Sequence, residues 1–453
     1  MNHEDFRILL ALEPTWTVSF NGLEFQTLPS TEIFIQDSTV TLGRWVRKIV
    51  SVEWLRPNSV KIRGRGKVRS QIDVFMLYPG ERIPGAADLR RRRRSFQTEL
   101  RRALCAHLLT RSVQREIIHS DRAHAIGGAY PRFLIGNRAV IAVHADETGS
   151  TINGIMRAAL LWAPLVGRRM VVVIPKHRSR TIVTRLEVMP HLRDSMDWLA
   201  WDGQHLEGLP EHLEPPETQV HPFALPNAEA EVSRICNLAP ELLQAVPYIS
   251  GSAVSIRLRG IEVAQIRRDG TVYPLGEPLD DVIAKLAALR CHGSGHPLSR
   301  AHEERWLESN LIGTMKQILP PVDREHIYPQ VPSFVGEERN IIDLLTATKH
   351  GRLVVLEIKA SADPDLPFQA LDYWIAVERH RRAGDFQRNG YFRGLTVKDE
   401  RALLVLVAPL LSFHRTMNRL TAVLPKELPV VQIGLNQSWK KEIKILRRRG
   451  WLG

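Results

Sequence analysis

Two strand-like segments joined by a short turn constrain the C-terminal part of the chain most strongly. The first segment is Asn340–Thr346 and the second is Leu353–Lys359, with Lys349–Arg352 predicted as the hairpin turn between them. Because side chains alternate across a strand, Glu357 and Lys359 are expected on one face and the apolar residues between and before them on the other. The pattern therefore predicts a β-hairpin with one charged face and one face packed in a core.

The charged face carries residue types suited to hydrolysis of a phosphodiester. Asp343 lies on the neighbouring strand, from which it can meet Glu357 and Lys359. Carboxylate oxygens hold Mg²⁺, which keeps several waters and binds phosphate oxygens. The metal lowers the pKa of a bound water, and a lysine beside that water offsets charge in the transition state. The sequence therefore predicts a magnesium-dependent hydrolytic site at the hairpin.

Two predicted helices flank the hairpin and carry further polar residues. Glu304 and Glu308 are four residues apart on the first helix and share a face, so either one is a candidate for an additional metal ligand. In the second helix, which begins at Pro367, Gln369 and Tyr373 share a face in the same way. Gln369 and Tyr373 are expected to point back toward the sheet edge.

Together these motifs resemble the PD-(D/E)XK nuclease superfamily. Asp343 followed by Glu357-Ile-Lys359 is similar to its D…ExK signature, Glu304 to the first-helix glutamate of resolvase-like members, and Gln369 to Tyr373 to the Q-x-x-x-Y element of RecB-like exonuclease domains. The resemblance covers about residues 300–435 and implies a mixed sheet flanked by helices, Mg²⁺ or Mn²⁺ dependence and products with a 5′-phosphate. It implies catalytic roles for Glu304, Asp343, Glu357, Lys359, Gln369 and Tyr373, with Asp343, Glu357 and Glu304 as metal ligands.

The expected fold class is α/β in several domains. A β-rich N-terminal domain (1–95) precedes an α/β domain (96–208), a Pro-rich linker and helix (209–248), a β-hairpin plus helix (249–298) and a restriction-endonuclease-like mixed-sheet core (299–453). The strand runs that indicate the first domain are Trp16–Phe20, Glu32–Ile35, Val46–Trp54 and Ile72–Tyr78. In the last domain the hairpin is followed by a strand (402–408), a helix (416–423) and a final strand (429–433), the order that the superfamily core requires.

The 96–208 domain has two interpretations. Its helix 98–109, strand 139–143, helix 152–166 and strand 169–174 follow the same order as the elements of the C-terminal core. It is either an inactive nuclease-like copy used for DNA binding or dimerisation, or an unrelated α/β domain. Where the core has Glu357-Ile-Lys359, this domain has Val143-His-Ala145 or, in the adjacent register, Ala142-Val143-His144. Neither supplies the carboxylate and the lysine.

Charge indicates a polyanionic partner. The chain has 62 Lys and Arg against 49 Asp and Glu, a formal net charge of +13. Such an excess raises affinity for phosphate backbones, and DNA is favoured over RNA as the substrate. The chain also contains a run of five arginines, Arg90–Arg94, which is either a solvated segment or one that contacts phosphates. The residues predicted to bind nucleic acid are Arg90, Arg91, Arg92, Arg93, Arg94, Lys440, Lys441 and Arg447.

The function expected from the sequence is a metal-dependent deoxyribonuclease in repair, restriction or defence. The alternative is a non-catalytic nucleic-acid-binding protein or a nucleotide-sensing regulator with a nuclease-like fold, and the complete Asp343, Glu357 and Lys359 set favours the enzyme. Three widely spaced cysteines, the lack of a long apolar run and the lack of a signal-peptide pattern indicate a cytoplasmic protein without a membrane span. The sequence leaves open whether the protein forms a homodimer.

Overall fold

The computed structural model divides into two compact units. The first lies within Met1–Ser179 and Met196–Leu209, and the second within Arg180–Ser195 and Pro210–Gly453. No helix in the described part of the chain is long and apolar enough to cross a membrane. The described residues are 15–20, 24–36, 38–43, 45–55, 59–65, 72–79, 86–109, 113–117, 121, 126–127, 130–143, 151–214, 220, 223, 228–248, 253–273, 278–323, 325–335 and 338–450.

An antiparallel sheet forms the N-terminal region. Apolar and exposed residues alternate along its strands, so that Ile33 and Ile35 are buried while Phe34 between them is exposed. The strands are β1 (Thr15–Phe20), β2 (Glu24–Pro29), β3 (Ile33–Gln36), β4 (Thr39–Leu42), β5 (Trp45–Leu55), β6 (Ser59–Arg65) and β7 (Ile72–Pro79). They pair in one sheet of order β2-β1-β7-β6-β5-β4-β3. The β-rich prediction is confirmed, as a single sheet.

Helix α1 (Ala86–His107) carries the arginine run. Phe96, Leu100 and Leu104 follow helical spacing and are buried in the core of the next sheet. The boundary predicted at residue 95 therefore falls inside a continuous helix. Arg90 to Arg94 lie in the helix preceding this buried stripe; the side chains of the first four are outside the described residues, and Arg94 is exposed.

A six-stranded mixed sheet follows α1. Its order is β13-β12-β11-β10-β9-β8, and the neighbours β10, β11 and β12 run parallel. The elements are β8 (Arg115–Ile117), β9 (Arg132–Ile135), β10 (Arg138–Ala142), α2 (Thr151–Val166), β11 (Arg169–Pro175), α3 (Ser179–Val188), α4 (Pro190–Ser195), β12 (Met196–Trp201) and β13 (Leu206–Gly208). The helix and the two strands predicted over 139–174 are confirmed. Residues 180–195, which contain α4 and nearly all of α3, belong to the second unit.

A small antiparallel sheet begins the rest of the second unit. Its elements are α5 (Glu229–Cys236), β14 (Leu243–Pro247), β15 (Ala253–Leu258), β16 (Ile261–Arg267), β17 (Val272–Tyr273) and α6 (Leu279–Leu289). The predicted hairpin is confirmed as β15 and β16, whereas the region predicted as linker and helix also contains β14. Gly260 turns the hairpin with φ +83°, and a Cβ there would lie 2.5 Å from the main-chain carbon of Arg305. Only glycine allows that approach.

The C-terminal core is a second six-stranded mixed sheet. Its elements are α7 (Glu303–Ile318), β18 (Tyr328–Val335), β19 (Glu338–Ala347), β20 (Leu353–Ile358), α8 (Leu366–Ala383), α9 (Asp385–Arg388), β21 (Leu403–Pro409), α10 (Met417–Thr421), β22 (Val430–Leu435) and β23 (Ile445–Arg449). The order is β18-β19-β20-β21-β22-β23, with β20, β21 and β22 parallel. The predicted hairpin and the strands and helices after it are confirmed.

The two six-stranded sheets share one pattern of strand order and direction. From β8 to β13, successive neighbours pair antiparallel, antiparallel, parallel, parallel and antiparallel, and β18 to β23 repeat this series. The 96–208 region therefore shares the sheet topology of the C-terminal core, which both interpretations of that region allow. In the motif Val143-His-Ala145 only Val143 lies within the described residues.

Candidate active site

The side chain of Asp343 interrupts the pairing at the end of the β19–β20 hairpin. Pairing of β19 with β20 runs from Ala347↔Leu353 to Leu344↔Leu356 and stops there. Asp343, the next residue of β19, instead accepts a hydrogen bond at its Oδ2 from the backbone N–H of Ile358 at 2.8 Å. A carboxylate therefore takes the place of a main-chain acceptor at the point where β20 ends.

Glu357 and Lys359 lie on the face that the strand alternation predicts. The lysine Nζ is 3.0 Å from Oε1 of Glu357, while Leu356 and Ile358 are buried in the apolar cluster of the core. The backbone N–H of Lys359 donates to Val407 on β21 at 2.9 Å, which fixes the residue just beyond the strand end. Both glutamate oxygens are buried, and within the described residues neither makes a hydrogen bond of good geometry.

Both candidate glutamates of α7 belong to the cluster, in different surroundings. Glu304 is 47% exposed and its Oε1 lies 3.9 Å from Lys359 Nζ. Glu308, one turn further, is buried, and its Oε1 lies 3.7 Å from Nη1 of Arg257. Its Oε2 accepts a hydrogen bond from Gln330. Glu304 therefore lies at the open side of the cluster and Glu308 behind it.

Sequence reasoning missed Arg257 and Gln330. Gln330 sits between the registered pairs Pro329↔Leu344 and Val331↔Ile342, opposite Asp343, with φ +56°. A non-glycine residue in that conformation is strained and is often found at functional sites. No sequence signal marks it. Arg257 does have one, since it is a lone charged residue within the apolar run of β15.

Gln369 and Tyr373 approach the same cluster from α8. The amide Nε2 of Gln369 donates to the hydroxyl of Tyr373 at 2.9 Å, one turn apart on the helix. Burial, followed by the negative charge of Glu357, raises the pKa of Tyr373 well above its usual value. The structure therefore brings together all six residues predicted as catalytic.

The cluster contains more buried negative charge than its lysine neutralises. Burial raises the pKa of Asp343 to about 6, although the ammonium of Lys359 opposes the rise. The pKa of Glu357 lies well above its usual value because of burial and the nearby Asp343. Burial alone would lower the pKa of Lys359, but the surrounding carboxylates raise it. A further cation would favour the ionised form of both carboxyl groups.

Asp343 and Glu357 fit a divalent cation with water as its other ligands. The two buried oxygens of Glu357 have unused acceptor capacity, and Mg²⁺ commonly binds through one or two carboxylates while keeping several waters. Within the described residues no three Asp, Glu, His or Cys side chains are grouped as a metal site. The three-ligand set predicted with Glu304 is therefore not assembled, and Glu304 lies beside Lys359 instead.

The predicted C-terminal basic residues occupy different surroundings. Lys440 donates to the carbonyl of Ser299 at 2.9 Å and to Glu303, and its ammonium lies over the ring of Trp306. These contacts hold the start of α7. Lys441 and Arg447 are exposed.

Comparison with known proteins gives distant structural likenesses only. No profile of a known protein family matches the chain, and no curated protein matches it. Protein VC1899 from Vibrio cholerae aligns at 11% identity over 66% of this chain and 88% of that one, with a TM-score of 0.17. Can2 from Sulfobacillus thermosulfidooxidans, solved in complex with cyclic tetra-adenylate, aligns at 10% identity over 63% and 86%, with a TM-score of 0.18. These scores are too low to carry an argument about fold or function.

Proposed function

We propose that the protein is a metal-dependent nuclease that hydrolyses phosphodiester bonds, with DNA as the preferred substrate. The observation that supports this most directly is the buried Glu357 carboxylate, which lies 3.0 Å from the ammonium of Lys359 and close to the second carboxylate, Asp343. Burial of charge at this density costs stability, and such arrangements cluster at functional sites.

Each side chain has a role that follows from its position. Asp343 and Glu357 would hold Mg²⁺ or Mn²⁺, which supplies an activated water and polarises a phosphate oxygen. Lys359 stays protonated among the carboxylates, so its ammonium can orient the attacking water and stabilise negative charge at phosphorus. The Gln369 amide, held by the Tyr373 hydroxyl, is placed to position water or substrate.

Glu304 is assigned to the entrance of the site. Its carboxylate is half exposed and lies near the ammonium of Lys359, so it can accept a proton or hold the lysine in place without direct metal contact. Glu308 is enclosed by Arg257 and Gln330 and supports the cluster from behind.

The proposal is tested by incubating the full chain with single-stranded, duplex and branched DNA and with RNA, each in Mg²⁺, Mn²⁺ or EDTA. We expect cleavage with either metal, products bearing a 5′-phosphate, and none in EDTA. Protein carrying Lys359→Ala, purified in parallel, controls for contaminating nucleases. Cleavage that persists undiminished in EDTA, or the same rate from Lys359→Ala, would leave a nucleic-acid-binding or regulatory role as the better account.

A further inference from the structure

A cleft of about 170 Å³ lies beside the C-terminal ends of β21 and β22. Its walls combine cationic and amide side chains with an aromatic ring, and within the described residues no Asp or Glu lines it. The polar and aromatic residues that matter here are Phe413, His414, Arg415, Asn418, Arg447 and Arg449. We call this feature the arginine cleft.

The arginine cleft opens at the same sheet edge as Lys359. Lys359 bonds to Val407 on β21, and the next residue of that strand, Ala408, pairs with Gly434, which lines the cleft on β22. Two strand spacings, about 10 Å, therefore separate Gly434 from the strand that carries Lys359. In addition, Ser412 Oγ donates to the carbonyl of Ala360 at 3.4 Å, which ties the segment entering the cleft to the residue after the lysine.

Local contacts hold the walls of the arginine cleft. A Cβ at Gly434 would lie 2.6 Å from Cδ1 of Leu410, so glycine allows the two sides to close together. Nη1 of Arg449 donates to the side chain of Asn418. Nδ1 of His414 accepts the backbone N–H of Thr416 at 3.3 Å, which holds the ring against the start of α10.

We propose that the arginine cleft binds a backbone phosphate of the polynucleotide that is cut at Lys359, with Phe413 beside a base. The inference rests on the proposed nuclease function and adds the path of the substrate. Guanidinium groups bind phosphate with two parallel hydrogen bonds, and an aromatic ring stacks on any base. The offset of about 10 Å between Gly434 and the strand that carries Lys359 places this phosphate within a few nucleotides of the scissile bond.

A polynucleotide fits the arginine cleft better than a free phosphate does. Arg415, Arg447 and Arg449 are all exposed and line the arginine cleft. Exposed arginines contribute mainly by neutralising a chain of phosphates, which makes the affinity depend on salt. The substrate assignment therefore predicts a steep salt dependence, whereas a small anion would bind weakly at such a surface.

The test is binding of a fluorescent single-stranded DNA 20-mer by the full chain in the Lys359→Ala background, with Mg²⁺ and increasing salt. We expect Arg447→Gln/Arg449→Gln to weaken binding at least tenfold and to reduce the slope of log affinity against log salt by about 1.4, since each phosphate contact contributes about 0.7 for a single strand. The matched control is Arg268→Gln/Lys285→Gln, which removes the same charge from exposed positions outside the cleft. Melting temperatures check folding, and Arg415→Gln provides a second variant.

The outcomes distinguish failure of the arginine-cleft proposal from failure of the nuclease proposal. If both cleft variants show the same slope of log affinity against log salt as the control pair, the proposed substrate path is wrong, while the nuclease proposal is unaffected. If Lys359→Ala still cuts, the nuclease proposal fails, and the same titrations in EDTA still decide whether the arginine cleft binds DNA. Competition by inorganic phosphate or a mononucleotide at the concentration at which the 20-mer competes would overturn the polynucleotide assignment in favour of a free-phosphate site.

Discussion

The guanidinium of Arg185 binds both carboxylate oxygens of Asp372, with Nε donating to Oδ1 at 2.8 Å and Nη2 donating to Oδ2 at 2.6 Å. Both side chains are almost fully buried. Asp372 precedes Tyr373 on α8, and the Arg185 guanidinium also lies 5.7 Å from the ring centre of Phe368 on that helix. The pair therefore anchors the helix that carries Gln369 and Tyr373.

Removing one member of this ion pair should lower the free energy of unfolding, whereas replacing both members with apolar residues should change it little. Arg185→Ala leaves the Asp372 carboxylate buried without its partner, which we expect to lower the free energy of unfolding by about 3–5 kcal/mol. Arg185→Met/Asp372→Leu removes both charges, and its free energy of unfolding should be close to that of the parent. Urea unfolding of the single and double variants measures this. A single variant as stable as the parent would show that the pair contributes nothing.

Local patterns in the sequence predicted most of the C-terminal core. Strand alternation over Leu353–Lys359 fixes which side chains share a face, and the helical spacing of Gln369 and Tyr373 does the same for α8. These inferences need no knowledge of distant residues. For that reason they predict correctly that Glu357 lies beside Lys359 and Gln369 beside Tyr373.

Contacts between distant segments could not be predicted in this way. Arg185 and Asp372 are 187 residues apart in sequence, and nothing near either residue indicates the other. The left-handed backbone of Gln330 is equally invisible, because glutamine is not a residue that favours turns. The contact of Gln330 with Glu308 therefore emerges only from the folded chain.

Lys359→Ala should lower cleavage by about 10²–10³-fold or more, because the ammonium acts on the attacking water and on charge at phosphorus. The lysine also neutralises Glu357. Without metal, the variant should therefore melt at a lower temperature than the parent, and the difference in melting temperature should be larger at pH 8 than at pH 5, where protons neutralise the carboxylates. The matched control is Lys349→Ala at the exposed hairpin turn. Initial rates and melting curves are measured for both, and a difference in rate smaller than tenfold would contradict the role.

Asp343→Asn should stop cleavage by weakening metal binding while the hairpin end stays formed. The asparagine oxygen can still accept the N–H of Ile358, so the variant removes charge and keeps the hydrogen bond. We expect no increase in melting temperature with Mg²⁺ and partial recovery of cleavage at high Mn²⁺. Metal titrations followed by melting temperature provide the check. An unchanged response to Mg²⁺ would remove Asp343 from the metal site.

Gln369→Ala should reduce cleavage less than Lys359→Ala or Asp343→Asn does. The amide positions water or substrate without ligating the metal, so we expect about a tenfold loss in kcat, with metal affinity unchanged. Gln387→Ala, an exposed glutamine of α9, is the matched control. Tyr373→Phe removes the acceptor of the Gln369 hydrogen bond and should reproduce part of the loss. If both variants equal the control, α8 contributes only structure.

Glu308 should make the metal-free protein less stable as pH rises. Burial raises its pKa from 4.5 to about 8, the negative charge of Asp343 adds to the rise, and Arg257, Gln330 and Arg305 oppose it. An acid whose folded pKa is raised stabilises the fold fully below its unfolded pKa and loses that contribution as pH rises through the folded pKa.

The window is therefore about pH 4.5 to 8, and the loss from this one group is about 5 kcal/mol at 1.36 kcal/mol per pKa unit. Glu308→Gln keeps an acceptor for Gln330 and should make the decline between pH 4.5 and 8 shallower. A decline should remain in the variant, because burial also raises the pKa values of Asp343 and Glu357. Urea unfolding in EDTA at pH 5, 6, 7 and 8 gives the two profiles. Parallel profiles for parent and variant would show that Glu308 ionises in the fold as readily as in water.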